Sequence, residues 1–333
     1  MKKMKQIIKL IKKSKNVAVF GHQSPDGDCL GSISAISFLL ENFGKKVDAF
    51  IDDDIHKRFD FMSFDNINQK EFDVQNYDLF ISVDVAGYNL LGKYQDVFKE
   101  NTNTIVIDHH ASRSLCGKIT YVDSQKSSCC EIIYELLKYA KIKPIKDIAT
   151  KLYMGIVDDT GCFLHNNTTS LTHRYAGELI DLKADINEIN YHLVKLIPKK
   201  NFEVWKLLDN EIIFDGGLTF IKIFEDFMQK NNFTKQDIGD YVNRLVNIEN
   251  TKIAFVLLEK PNKVYSISLR SVFGYDVSHI AKQFGGGGHK QAAGGDIREN
   301  LDESIEKLVS LCKQEIKDKE SDHVWEKWNY CIK

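Results

Sequence analysis

No apolar run in this chain of 333 residues is long enough to span a bilayer. None of its seven cysteines (Cys29, Cys116, Cys129, Cys130, Cys162, Cys312, Cys331) stands in a C-x-x-C pair, and their number is odd. That suits reduced thiols in a cytoplasmic protein and argues against a disulfide framework. The formal net charge is only -2, so no global field draws in a polyanion. A long nucleic-acid duplex is thereby disfavoured, and any nucleic-acid contact must be local. The basic N-terminus lacks the apolar stretch of a signal peptide, because lysines interrupt Ile7, Ile8, Leu10 and Ile11. A short amphipathic helix is the better reading there. Repeats and low-complexity segments are absent as well. What is present is ordinary for a soluble globular protein: 43% hydrophobic and 28% charged residues, in a chain long enough for two domains.

Short apolar runs alternate with helical patterns through the first half. Strands are expected at 16–20, 46–51, 79–83, 104–107 and 118–122, and helices at 31–42, 131–139 and 148–157. This alternation predicts an α/β domain with a doubly wound, mostly parallel sheet. The polar, helical stretch 182–200, closing at Pro198 before Lys199 and Lys200, marks a change of character. The expected division is a first domain over 1–185, a linker over 186–205 and a smaller α+β domain over 206–333. In the last, strands are expected at 211–214, 218–223, 253–259 and 264–270, and helices at 234–245 and 301–317.

The ionisable residues fall where the strands and helices stop. His22, Asp26 and Asp28 follow the strand 16–20, Asp84 follows 79–83, Asp108-His109-His110 follow 104–107, and Asp158-Asp159 end the helix 148–157. In an open parallel sheet, ligands bind outside the carboxyl ends of the strands. A lone aspartate at such a place is ordinarily a turn or cap residue. Four ends each carrying a metal-ligand residue type form a different pattern. His22, Asp26, Asp28, Asp84, His109 and Asp159 offer four carboxylates and two imidazoles with no thiolate, a set suited to Mn²⁺ or Mg²⁺. That number of ligands suits two divalent ions sharing a carboxylate, an arrangement that activates hydroxide for attack on phosphorus.

A second cluster lies far along the chain. Gly285-Gly286-Gly287-Gly288 precedes His289, and Ala292 and Ala293 follow. Glycine runs let backbone N–H groups approach an anion closely, although a bare run is as often a flexible turn. The reading here is a loop with a small-residue helix start behind it. Arg270, ending the strand 264–270, becomes a candidate clamp for a terminal phosphate.

Together these residues resemble the DHH/DHHA1 phosphoesterase family. His22-x-x-x-Asp26-x-Asp28, Asp84 in Val-Asp-Val-Ala, Asp108-His109-His110 and Asp159-Thr160-Gly161 look like its four ordered motifs. Phe284 through Gly294 looks like the DHHA1 signature, so the resemblance covers nearly the whole chain. It is closest to the nanoRNase/pAp-phosphatase subgroup. The resemblance implies a two-Mn²⁺ site, with His22, Asp26 and Asp84 on one ion and Asp28, Asp84, His109 and Asp159 on the other. It implies His110 as the catalytic partner at the scissile phosphate and Asp108 as the residue that orients the histidines. Arg270, Gly286, Gly287, Gly288 and His289 would bind substrate. Two departures stand out: Arg113 lies where members often carry an Asn nearby, and Cys129-Cys130 occupy a Ser/Thr-rich position.

The expected activity is hydrolysis of short single-stranded RNA and of 3'-phosphoadenosine 5'-phosphate (pAp) by a two-metal-activated hydroxide. A phosphodiesterase of the dinucleotides pApA or c-di-AMP is the enzymatic alternative, and a non-catalytic RNA-binding module the alternative of another class. No membrane partner is expected; a homodimer is compatible with the resemblance.

Overall fold

The computed structural model describes residues 2–331 apart from 112, 113, 261, 262 and 299, with side chains described as far as Ser321. The chain forms two compact units, Met1–Leu196 and Ile197–Lys333. Among the described residues, no helix is long and apolar enough to cross a membrane.

The first unit runs α1 (Lys2–Lys13), β1 (Asn16–Phe20), α2 (Gly27–Asn42), β2 (Lys46–Phe50), β3 (Leu79–Val83), α3 (Gln95–Glu100), β4 (Thr104–Asp108), β5 (Ile119–Val122), α4 (Cys129–Ala140), α5 (Lys146–Asp159), α6 (Ser170–Asp181) and α7 (Ile186–Asn190). Its five strands are all parallel, in the order β2-β1-β3-β4-β5. Both faces are covered, and every residue of β3 and β4 is buried. One face packs on α1, α2, α4 and α5; the other carries an aromatic cluster built around Phe20, Phe50, Phe80 and Phe98. Strand order reverses between β1 and β3, and a doubly wound sheet opens its ligand crevice at such a point.

Helix α2 starts at Gly27, earlier than the periodicity alone suggests, because Asp26 caps it and accepts from the Cys29 N–H. Buried on nearly every side, α2 crosses α5 at the glycines Gly31 and Gly155. Main-chain division falls inside the stretch 186–205. Ile189 is buried with the first unit, and Val204 and Leu208 of α8 (Lys199–Leu208) are buried with the second.

The second unit continues with β6 (Ile213–Asp215), β7 (Leu218–Ile223), α9 (Glu225–Lys230), α10 (Lys235–Ile238), α11 (Tyr241–Val246), β8 (Ile253–Lys260), β9 (Val264–Ser271), α12 (Ser278–Lys282), β10 (Gly287–His289), β11 (Ala292–Ile297) and α13 (Leu301–Cys331). Its sheet has the order β10-β11-β9-β8-β7-β6 and is antiparallel except between β7 and β8. The expected doubly wound α/β domain with a smaller α+β domain is therefore what the chain adopts. Two local expectations are corrected. The helix expected at 234–245 is broken into α10 and α11, because Gly239 takes φ +56 and ends the first of them. Ala292 and Ala293 begin a strand, not a helix: the glycine run pairs with them as an edge hairpin, satisfying its backbone groups through a ladder.

Candidate active site

The site in the first unit is assembled at the carboxyl ends of β1, β3 and β4, with α2 and α5 supplying the rest. His22 follows β1, and Asp26 and Asp28 flank the first residue of α2. Asp84 directly follows β3 in a left-handed conformation, φ +57, which a non-glycine residue adopts only at a cost. Its N–H donates to the Ile107 carbonyl at 3.0 Å, so the turn is tied to the neighbouring strand. Asp108 is the last residue of β4, with His109 and His110 just beyond it, and Asp159 ends α5.

Ligand atoms of His22, Asp26 and Asp84 lie within 4.8 Å of one another, and so do those of Asp28, His109 and Asp159; a third such group, Asp84, His109 and His110, overlaps both. Asp84 joins the two groups. Its Oδ2 is 3.6 Å from His22 Nε2, and its Oδ1 is 3.6 Å from His109 Nε2. His109 Nε2 is 3.5 Å from Asp159 Oδ2 and 3.9 Å from Asp28 Oδ2. Such separations exceed good hydrogen bonds but suit donors arranged around a cation. The histidines are turned for that role. His22 Nδ1 is 2.7 Å from the Gln23 carbonyl and His109 Nδ1 is 3.4 Å from the Lys126 carbonyl, which directs both Nε2 atoms at the carboxylates.

Electrostatics make the same case. Burial, then repulsion from Asp28, pushes the Asp84 carboxyl well above its usual range; burial and the charges of Asp28 and Asp26 do the same to Asp159. Asp28 is raised by burial and by Asp26. Asp84 Oδ1 and Asp159 Oδ2 are fully buried with no hydrogen-bond partner. Orphaned carboxylate oxygens inside a like-charged cluster are costly unless a cation meets them. The donor set therefore fits divalent metal. At His22, burial works against the charged ring, but Cys29, Asp26 and Asp84 outweigh it and raise its pKa well above the ordinary value.

His110 is held differently. Its Nδ1 lies 2.8 Å from Asp108 Oδ1, and Asp108 Oδ1 also accepts the N–H groups of His109 and His110. Burial lowers the His110 pKa, but this carboxylate outweighs it and leaves the ring easier to protonate than usual. Burial and the charge of His110 instead bring His109 down to about 4, so that ring stays neutral, as a ligand must.

Cys129 and Cys130 touch the site through their main chain. Their backbone N–H groups at the start of α4 donate to Asp28 Oδ2 at 2.6 Å and Oδ1 at 2.8 Å. Contacts missed by sequence reading include these amides, the carbonyls of Gln23 and Lys126, and Asn167, which donates to the Ser127 and Asp159 carbonyls. Main-chain groups carry no sequence signal. Arg113 lies outside the described residues.

Of the residues singled out in the second unit, Arg270, Gly287 and His289 lie on one sheet face. His289 pairs with Ala292, and Ala292 pairs with Arg270, so these three share a face across three strands. Gly287, Gly294 and Ser268 form the next row of that face. The floor between Arg270 and His289 is thus alanine and glycine. Arg270 Nε donates to Asn243 Oδ1 at 2.8 Å, and its Nη1 to the Leu269 carbonyl. Burial draws its pKa below the ordinary value, leaving a half-buried cation that an anion would favour. A Cβ at Gly286 would collide with the Gly294 carbonyl, and one at Gly288 with that of Ala292. Both positions require glycine for the hairpin to close.

Family models supply the remaining observation. The model of the DHH family, N-terminal domain, matches residues 16–156, and that of the DHHA1 domain matches residues 219–318. The chain is 31% identical over 317 residues to the bifunctional oligoribonuclease and PAP phosphatase NrnA of Mycoplasma genitalium, covering 93% of this chain and 97% of that protein. The chain belongs to the DHH/DHHA1 phosphoesterase family. It is also 26% identical over 318 residues to NrnA of Bacillus subtilis, covering 93% and 98% of the two proteins. An exopolyphosphatase-related protein from Bacteroides fragilis shares the fold, with a TM-score of 0.84 at 22% identity over 93% of this chain and 95% of that one. Membership in this DHH/DHHA1 family, with relatives of that kind, makes the chain a hydrolytic phosphoesterase.

Proposed function

We propose that the chain is a two-metal phosphoesterase that hydrolyses very short oligoribonucleotides and pAp to nucleoside 5'-monophosphates. The observation that carries this reading is the pair of ligand groups joined at Asp84, with their orphaned carboxylate oxygens. His22, Asp26 and Asp84 would hold one divalent ion, and Asp28, Asp84, His109 and Asp159 the other; Mn²⁺ suits this mixed N/O set. Bound there, such ions offset the buried negative charge, supply a nucleophile at neutral pH and draw charge from the phosphoryl oxygens.

The chain's own groups do the rest. His110, oriented by Asp108 and easier to protonate beside it, gives a proton to the leaving oxygen. The first unit is the catalytic domain and the second the substrate-binding domain. Arg270 and His289 grip a terminal phosphate over the alanine–glycine floor, with Gly286, Gly287 and Gly288 shaping the hairpin that lets the phosphate approach. Unpaired thiols at Cys29, Cys116, Cys129, Cys130, Cys162 and Cys312 support a cytoplasmic setting. NrnA proteins, named for oligoribonuclease and PAP phosphatase activity, support this substrate class.

The test is a substrate panel with purified protein and Mn²⁺: a labelled ribodinucleotide, pAp, pApA and c-di-AMP. Turnover of the first two is expected to exceed that of the others. Hydrolysis of none would sink the enzyme reading, and RNA binding without hydrolysis would favour a binding module in its place.

A further inference from the structure

Asp158 directly precedes a candidate ligand yet belongs to none of the ligand groups among the described residues. Its side chain is only 13% exposed, and Oδ2 accepts two hydrogen bonds. One comes from the Gly27 N–H at 2.6 Å, the other from Arg58 Nη2 at 2.6 Å. Gly27 is the residue between Asp26 and Asp28, so the Asp158 carboxylate holds the peptide that separates two candidate ligands. A Cβ at Gly27 would lie 2.8 Å from the Asp158 Cβ, so the loop sits directly against the end of α5.

Arg58 is itself anchored. It stands in a 3₁₀ turn, Lys57–Phe59, beyond β2. Phe59 is fully buried, and the Arg58 guanidinium carbon lies 4.4 Å from its ring centroid. An exposed ion pair of this kind would contribute little. This one is shared with a main-chain donor and sits against the ligand loop.

We propose that Arg58 and Asp158 form a clamp that sets the spacing of Asp26, Asp28 and Asp159. This rests on reading the cluster as a metal site. Both are positioning residues: Arg58 orients the Asp158 carboxylate, which ties the 26–28 loop to the α5 terminus that carries Asp159. Residues that orient metal ligands ordinarily change affinity by about 10–100-fold when removed.

The experiment compares the full chain with Asp158→Ala, Asp158→Asn, Arg58→Ala and the Arg58→Ala/Asp158→Ala double variant. It reads the Mn²⁺ dissociation constants by calorimetry and the melting temperature of each metal-free protein. Asp158→Ala is expected to weaken Mn²⁺ binding by about 10–100-fold. Asp158→Asn retains an acceptor for the Gly27 N–H, keeps the fold and should match the smaller loss of Arg58→Ala. Because the two residues act as one unit, the double variant should be no weaker than Asp158→Ala alone. Single losses that multiply in the double variant would overturn the clamp, as would unchanged Mn²⁺ affinity with only a lowered metal-free melting temperature. Wild-type chain that binds no Mn²⁺ would overturn the metal-site reading as well. Wild-type binding equalled by every variant would overturn the clamp alone.

Discussion

In the first unit the ionisable residues are buried among like charges, with Asp28 at 1% and Asp84 at 2% exposure. In the second, His289 is exposed, Arg270 is half-buried, and close approach is left to glycine backbone. Under the proposed function, the contrast sets how each unit would meet an anion. A buried carboxylate cluster does so only through a cation, which it also needs for its own sake. The hairpin face offers its own positive charge and needs no intermediary. Damage should therefore differ in kind: loss of metal and rate in the first unit, loss of affinity in the second.

Asp84→Asn tests the contrast most severely. It preserves shape and removes the charge that lies between the two ligand groups. Turnover should fall on the order of 10³-fold or more, with metal content lowered in parallel. The same variant should melt higher than wild type when both are metal-free, because repulsion inside the cluster is relieved. Full activity with normal metal content would break the comparison at its stronger end.

Arg270→Ala should leave metal content alone. Losing one charge-assisted contact worth about 1.5–3 kcal/mol raises KM by about 10–100-fold, with kcat much less affected. Steady-state kinetics on the ribodinucleotide separate the two constants. A collapse of kcat with unchanged KM would place Arg270 at the reacting atoms and erase the division of labour.

The smallest effect is in pH. The raised pKa values of Asp28, Asp84 and Asp159 mean that the folded, metal-free chain binds protons more tightly than the unfolded chain. Their contribution to stability is complete below the ordinary carboxylate range and is lost as pH rises through the raised values. His22, also raised, contributes fully below the ordinary histidine range and loses that contribution as pH rises further. Cations replace those protons, so the gain in melting temperature from Mn²⁺ should grow from about pH 6 to about pH 8. A gain that is flat across this range would mean that the cluster is not the binding site.

Much of this arrangement was legible from residue order, because strand ends converge by topology. Once 79–83 and 104–107 read as parallel strands, Asp84 and Asp108-His109-His110 had to share an edge. What sequence could not reveal was contact between distant segments. Arg58 and Asp158 are 100 residues apart, Gly27 and Asp158 are 131 apart, and no periodicity links them. The glycine run shows a second limit. Its composition suggests a flexible loop, and only pairing with β11 makes it an edge strand. Gly239 shows a third, since a helical pattern continues on paper across a residue whose backbone turns left-handed.

Asp28 is gripped by the main-chain amides of residues 129 and 130. Every amino acid except proline supplies that amide, so the contact is nearly indifferent to mutation. The side chain at position 130 is instead constrained by bulk, since the Cys130 thiol fills the space against Gly31 and Gly155. A bulkier side chain at 130 would press on the crossing of α2 and α5, whose ends carry Asp28 and Asp159.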